Sequence, residues 1–301
     1  MNPSRILLAA LCAGSFALAA QAQDPGKALG GLLRQIVPGG LPNLPQAAPR
    51  PSPATGDLVQ MLTESLAQID EPREIEIGRQ LAAVLLGSKP LHGDMALQRY
   101  VNRLGRWVSL QSTRPQLPWT FGVLDDPGFN AFAAPGGYVF VTRGLVDRVD
   151  EAELAGILAH EITHVTGKHH LKALAAKARA GLATQLVASQ LRGNAQGAIS
   201  AQMLALGRNL YSSGLDQGDE YEADREGVAL AARAGFDPYG LPAVLQQLRA
   251  AAPDNPLFTL TLATHPPAQQ RLERLEVAMG ARLDALSGKP SVPIAQRLGQ
   301  R

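Results

Sequence analysis

The sequence predicts an α+β domain, mostly helical, with one small antiparallel or mixed sheet set next to a helix that carries His160-Glu161-Ile162-Thr163-His164. Three observations predict it. Apolar residues recur at three- and four-residue spacing through most of the chain beyond residue 57, the period of amphipathic helices. Two stretches break that period: Trp119 to Leu124 alternates as a strand does, and Asn130 to Thr142 reads as two short strands around Pro135-Gly136-Gly137. Directly after them the helical period returns at Leu154, Ile157, Leu158, Ile162 and Val165, around both histidines. At 301 residues, 46% hydrophobic and 18% charged, the chain is globular in composition and long enough for one large domain or two small ones.

Ahead of this domain, Arg5, the apolar stretch Ile6 to Ala20 and the triplet Ala20-Gln21-Ala22 read as a cleaved signal peptide over residues 1–22. The apolar stretch falls short of the ~20 residues that a spanning helix needs, which argues against an uncleaved anchor. Cys12 lies inside it and no other cysteine exists, so a processed protein is expected to carry neither thiol nor disulfide. Leu11 stands where a lipoprotein signal wants a small residue, so no lipid is expected on Cys12. Residues 23–57, with Pro38, Pro42, Pro45, Pro49, Pro51 and Pro53 closely spaced, read as a linker or extended arm.

The domain itself is expected over residues 58–285. A helical pattern starts at Leu58 and resumes after Pro72 from Ile75 to Leu86. A second amphipathic helix spans Asp94 to Leu110, with Leu97, Tyr100, Val101, Leu104 and Val108 on one face; the strands follow. Leu145-Val146-Asp147 makes a turn or helical piece, and Asp150-Glu151-Ala152-Glu153 opens the histidine helix with the acidic first turn that a helix dipole favours. The Ala-rich stretch 171–213 reads as two helices, either an ordinary packing hairpin or a mobile lid. Residues 286–301 are expected as a C-terminal tail. The formal net charge of +2 and the absence of a basic cluster argue against a nucleic-acid partner. The scattered cations from Lys168 to Arg179 suit a solvated helix face, with a peripheral membrane contact as the alternative.

His160 and His164 are four residues apart and share one helix face, so two imidazoles can grip one metal ion. Zinc accepts neutral imidazole nitrogen, and a catalytic zinc keeps three protein ligands, which leaves one to be found elsewhere. Glu161 adjoins the first histidine and can reach a water there as general base. Downstream, Glu220 and Asp224 also share a helix face, in Asp219-Glu220-Tyr221-Glu222-Ala223-Asp224. Alone, that run reads as an acidic solvated helix. Paired with the two histidines, Glu220 becomes the third ligand, and Asp224 one turn on can accept a ring N–H and fix a ligand's tautomer. The strands before the histidine helix are a candidate substrate edge, because an extended peptide can pair with a strand; a structural hairpin covering the core fits them equally well. His92, His169 and His170 read as structural or exposed.

At this point the chain resembles the M48 zinc metallopeptidases over about Leu58 to Met279. The resemblance rests on Glu74-Ile75-Glu76-Ile77-Gly78, Asn130 to Gly137, His160 to His164, and Glu220 to Asp224. It implies a zincin-type domain with one zinc per chain on His160, His164 and Glu220, Glu161 activating water, and Asp224 as proton donor or, as helix geometry prefers, as support behind a ligand. Similar His-Pro segments lie near the metal cleft in that family. His265, in Thr264-His265-Pro266-Pro267, is therefore expected to stabilise an oxyanion, to close the metal, or to be a plain loop histidine. The prenyl-protease and HtpX branches carry several transmembrane helices, and no stretch after Ala20 here reaches spanning length, so the resemblance is to the soluble exported branch. It implies a periplasmic endopeptidase that cuts unfolded or misassembled envelope proteins. The rival reading is a zinc-stabilised, non-proteolytic chaperone-like factor that assists the outer-membrane assembly machinery.

Overall fold

The computed structural model describes residues 69–176, 214–252 and 254–299. The expected signal peptide and linker, the helical pattern at Leu58 and most of the Ala-rich stretch lie outside them. The first helix, α1, spans Glu71–Ser88, with Pro72 in its first turn and Asp70 accepting from the Arg73 N–H. The second, α2, spans Met95–Ser109, and the Asp94 side chain caps it by accepting from Ala96 and Leu97. Both caps use short acidic side chains, which satisfy amide protons that have no partner inside the helix. The face predicted on α2 is buried, from Leu97 through Val108.

Three strands follow: β1 (Thr120–Leu124), β2 (Ala131–Ala134) and β3 (Tyr138–Thr142). They form a sheet of order β1-β3-β2. The hairpin β2–β3 is antiparallel, with Phe132 opposite Phe140, whereas β1 runs parallel to β3, with Gly122 opposite Phe140. The sheet is thus mixed, and β2 is one of its two outer strands among the described residues. The turn between β2 and β3 is held from outside. Glu74, fully buried on α1, accepts from Arg114 Nη1 at 2.8 Å and from the Gly136 amide at 3.1 Å. One helical turn on, a Cβ at Gly78 would lie 1.7 Å from the Pro135 carbonyl oxygen, so only glycine lets α1 approach the turn so closely. The Glu74 to Gly78 run is therefore the brace of the hairpin.

A short α3 (Arg143–Val146) leads to the histidine helix α4 (Glu151–Thr166). Asp150 and Glu153 form a reciprocal capping box at 2.8 Å each way. From Leu154 to Val165 every residue of α4 is buried, so this helix is the axis of the core rather than a surface stripe. It is enclosed by the sheet, by α2, by α5 (Gln217–Arg233) and by α6 (Gly240–Ala250). Two further helices, α7 (Thr259–Thr264) and α8 (Ala268–Met279), close the other side. A 3-10 turn at Asp284–Leu286 and α9 (Ile294–Gly299) complete the described chain. This last segment, expected as a tail, packs back on α4: Ile294 is buried and Arg297 pairs with Glu151 at 2.6 Å. Among the described residues no helix is long and apolar enough to cross a membrane.

Candidate metal centre

Four residues of helix place the His160 and His164 rings on one face of α4, with their Nε2 atoms 3.0 Å apart. Helix α5 lies against this face at close range: a Cβ at Gly227 would sit 3.0 Å from the His160 Cα. That proximity brings Glu220, one face and two turns earlier on α5, to the rings. Its Oε2 is 3.7 Å from His160 Nε2 and its Oε1 is 3.7 Å from His164 Nε2. All three side chains are buried, and Glu220 Oε2 has no hydrogen-bond partner among the described residues. A buried carboxylate oxygen without a partner is costly unless a cation completes it. Two neutral imidazole nitrogens and a carboxylate, separated by 3.0–3.7 Å, also suit an ion bound at about 2 Å from each donor. The residues therefore form a group that can hold a metal ion.

Behind His160, Asp224 Oδ1 lies 3.0 Å from Nδ1. The carboxylate is gripped in turn by Arg271 of α8, Nε to Oδ2 at 2.8 Å and Nη2 to Oδ1 at 2.5 Å. Burial pushes the Asp224 carboxyl up, but the Arg271 charge and hydrogen bonds, with His160 beside them, outweigh burial and hold it well below the usual carboxylate range. Asp224 is thus an ionised acceptor for a ring N–H. Glu161 is under the opposite influence: burial pushes its carboxyl up to about 8 despite Arg271 nearby, and burial likewise carries Glu220 to about 8. His265 joins from the end of α7. Its Nδ1 donates to the Thr261 carbonyl at 3.1 Å, which leaves Nε2 bare, 3.8 Å from Glu220 Oε2. Burial, with Arg271 and His160 adding to it, lowers the His265 imidazole to about 3, so it is neutral.

Two small cavities of about 40 Å³ each meet at Glu161, His265, Asn130 and Ala131. One is apolar, between Leu145, Ile157, Val244 and Leu248. The other is polar, between β2, His164, His170 and Glu220. The strand expected as a substrate edge thus walls the metal group.

A model described as peptidase family M48 matches residues 95–278. The chain belongs to peptidase family M48. It is 31% identical over 233 residues to the beta-barrel assembly-enhancing protease of Escherichia coli (strain K12), covering 75% of this chain and 48% of that protein. It is 31% identical over 178 residues to the mitochondrial metalloendopeptidase OMA1 of Schizosaccharomyces pombe, covering 59% of this chain and 51% of that protein. A protease HtpX homolog of Salinibacter ruber is 31% identical over 183 residues, 50% of this chain and 64% of that protein. The chain spans about half the length of the beta-barrel assembly-enhancing proteases it matches.

All six residues singled out in the sequence meet in this M48 chain: His160, Glu161, His164, Glu220, Asp224 and His265. The other histidines, expected as structural or exposed, divide between those two alternatives. His92 is a surface residue between Asp125 and Arg143, as expected. His169 is fully buried and its Nδ1 is 2.9 Å from His164 Nδ1. His170 lines the polar cavity beside His164, and burial lowers it to about 3. The turn after α4 folds both rings back toward His164, so both take the structural alternative. Arg271 is the functional residue that the motifs missed. Its signal was its phase: Ala268, Arg271, Leu275 and Met279 are the buried face of α8, so a charge stood at an apolar position.

Proposed function

We propose that this chain is an exported zinc metalloendopeptidase of the periplasm that hydrolyses peptide bonds in unfolded or misassembled envelope proteins. The observation that carries the reading is the junction of His160, His164 and Glu220 with Glu161 at the meeting point of two cavities. A zinc ion held by those three side chains supplies Lewis acidity for the scissile carbonyl and for an attacking water. Glu161 takes the water's proton and delivers it to the leaving nitrogen. Asp224, kept ionised by Arg271, orients His160 and does not deliver protons. The apolar cavity receives a substrate side chain next to the reacting carbonyl, between Ile157 and Val244. The names of the relatives, beta-barrel assembly-enhancing protease above all, support envelope proteins as substrates and the outer-membrane assembly machinery as partner.

The test compares wild type with Glu161→Gln on casein and on an unfolded outer-membrane protein. Both are expected to hold one zinc per chain, with cleavage by the variant down about 10²–10⁴-fold. Wild-type rates from the pure, zinc-loaded variant would overturn the mechanism.

One observation favours a second reading. The bare Nε2 of His265 faces Glu220 at 3.8 Å, so a fourth protein ligand is within reach of a small movement. A closed centre with no turnover would make the chain a zinc-stabilised binding factor of the envelope. His265→Ala separates the two: a gain in casein cleavage marks a latent enzyme, and no cleavage by either form marks the binding factor.

A further inference from the structure

Beside the metal group lies a second one of similar make-up, His169 with Asp219 and Glu222. His169 Nε2 is buried without a hydrogen-bond partner among the described residues, and two carboxylate oxygens stand beyond it, Asp219 Oδ1 at 3.6 Å and Glu222 Oε1 at 3.9 Å. By composition this is a candidate cation site. The other ring nitrogen decides otherwise. We propose that His169, backed by Asp219 and Glu222, is the positioning group of His164, and that it takes no metal of its own while His164 holds one. The proposal rests on reading His160, His164 and Glu220 as the zinc ligands.

Counting the protons on the two rings fixes their tautomers. His164 turns Nε2 toward His160 and Glu220, so a metal there needs that nitrogen bare, and a neutral His164 carries its proton on Nδ1. The Nδ1 atoms of His164 and His169 are 2.9 Å apart, a gap that holds one proton. His164 therefore donates and His169 Nδ1 accepts. A neutral His169 then carries its own proton on Nε2, the atom aimed at the two carboxylates. A metal on His169 Nε2 would need that atom bare and would force a second proton into the 2.9 Å gap. The two histidine ligands are thus supported alike, His160 by Asp224 with Arg271 and His164 by His169 with Asp219.

The backbone is shaped for this contact. Lys168 has φ 56°, left-handed and strained for a residue with a side chain, and that turn folds His169 back beneath the end of α4. Gly167 leaves room for the ring: a Cβ there would stand 2.3 Å from His169 Nε2.

Zinc affinity, measured by competition with a chelator at fixed pH, tests the assignment on the full chain. His169→Leu, which removes the acceptor, should weaken zinc binding about 10–100-fold. His169→Asn, whose amide oxygen can stand near the Nδ1 position, should restore most of the affinity, and Gly167→Ala, which crowds the ring, should behave like His169→Leu. Should the leucine variant not fold, imidazole ¹⁵N spectra of zinc-loaded wild type decide: the proton belongs on Nδ1 of His164 and on Nε2 of His169. Equal zinc affinity in wild type and folded His169→Leu, a His169 proton on Nδ1, or two zinc ions bound with one on His169 would each overturn the proposal alone. A wild type that binds no zinc would overturn it together with the zinc reading.

Discussion

Arg271 and Asp224 offer the sharpest test of how this centre is held. Each is almost wholly buried, and they meet through two charge-assisted bonds of 2.8 and 2.5 Å. Arg271→Leu leaves the Asp224 carboxylate buried without its counter-charge, and Asp224→Asn leaves the guanidinium in the same position. Breaking a buried pair from one side costs about 3–5 kcal/mol, whereas replacing both partners by neutral groups is often near neutral. Each single variant should therefore lose about 3–5 kcal/mol, or roughly 6–20 °C of melting temperature in a domain of this size. The double variant should cost no more than either single one, giving a coupling of about 3–5 kcal/mol in a double-mutant cycle. The pH dependence has a fixed sign. A carboxyl held low in the fold contributes stability above its unfolded value near 4, and the contribution fades as pH falls through the folded value. The gap between wild type and Arg271→Leu should thus be widest at neutral pH and narrow below about pH 4. Urea denaturation of metal-free protein reads all four corners. Additive losses, or a single-variant cost below about 1 kcal/mol, would refute the idea that the pair acts as one buried unit.

Other outcomes follow from the same structure. Glu161 and Glu220 are both pushed up to about 8 by burial, so ionising them works against the metal-free fold. Chelator-treated protein should lose melting temperature as pH rises from about 4.5 toward 8, and zinc should abolish that loss; a flat or rising profile without zinc would contradict it. Gly78→Ala drives a Cβ into the Pro135 carbonyl and should cost about 1–3 kcal/mol, whereas Gly87→Ala meets open space in the same helix and should gain about 0.5–1 kcal/mol, both read by thermal melts. Val244→Leu narrows the apolar cavity by about one methylene and should move cleavage toward smaller apolar side chains by ~10-fold or more, read from new termini by mass spectrometry.

The parts of this fold that local chemistry dictates could be read from the residues. Helices α1, α2 and α4 begin at the Asp70, Asp94 and Asp150 caps, and on α2 the apolar spacing matches what is buried. His160, His164, Glu220 and Asp224 were legible because helical phase alone puts each pair on one face. The strand order was not, since β1 joins β3 in parallel through packing on α2, and no nearby residue encodes that pairing. The contact of His169 with His164 was not legible for a related reason. The chain reverses at Lys168 with positive φ, and a lysine does not announce such a turn as a glycine would.

Arg271 is different, because its role was recoverable from the sequence. A charge on the buried face of α8 must meet an opposite charge, or the helix cannot bury that face. Glu161 and Glu220 were already spent on the metal centre, and Asp224 stands one turn from Glu220 on the face of α5 turned toward it. The structure makes Asp224 the partner. A carboxylate committed to a guanidinium by two hydrogen bonds stays ionised, so in the proposed metal centre Asp224 would accept a ring proton from His160 and hold that ring still.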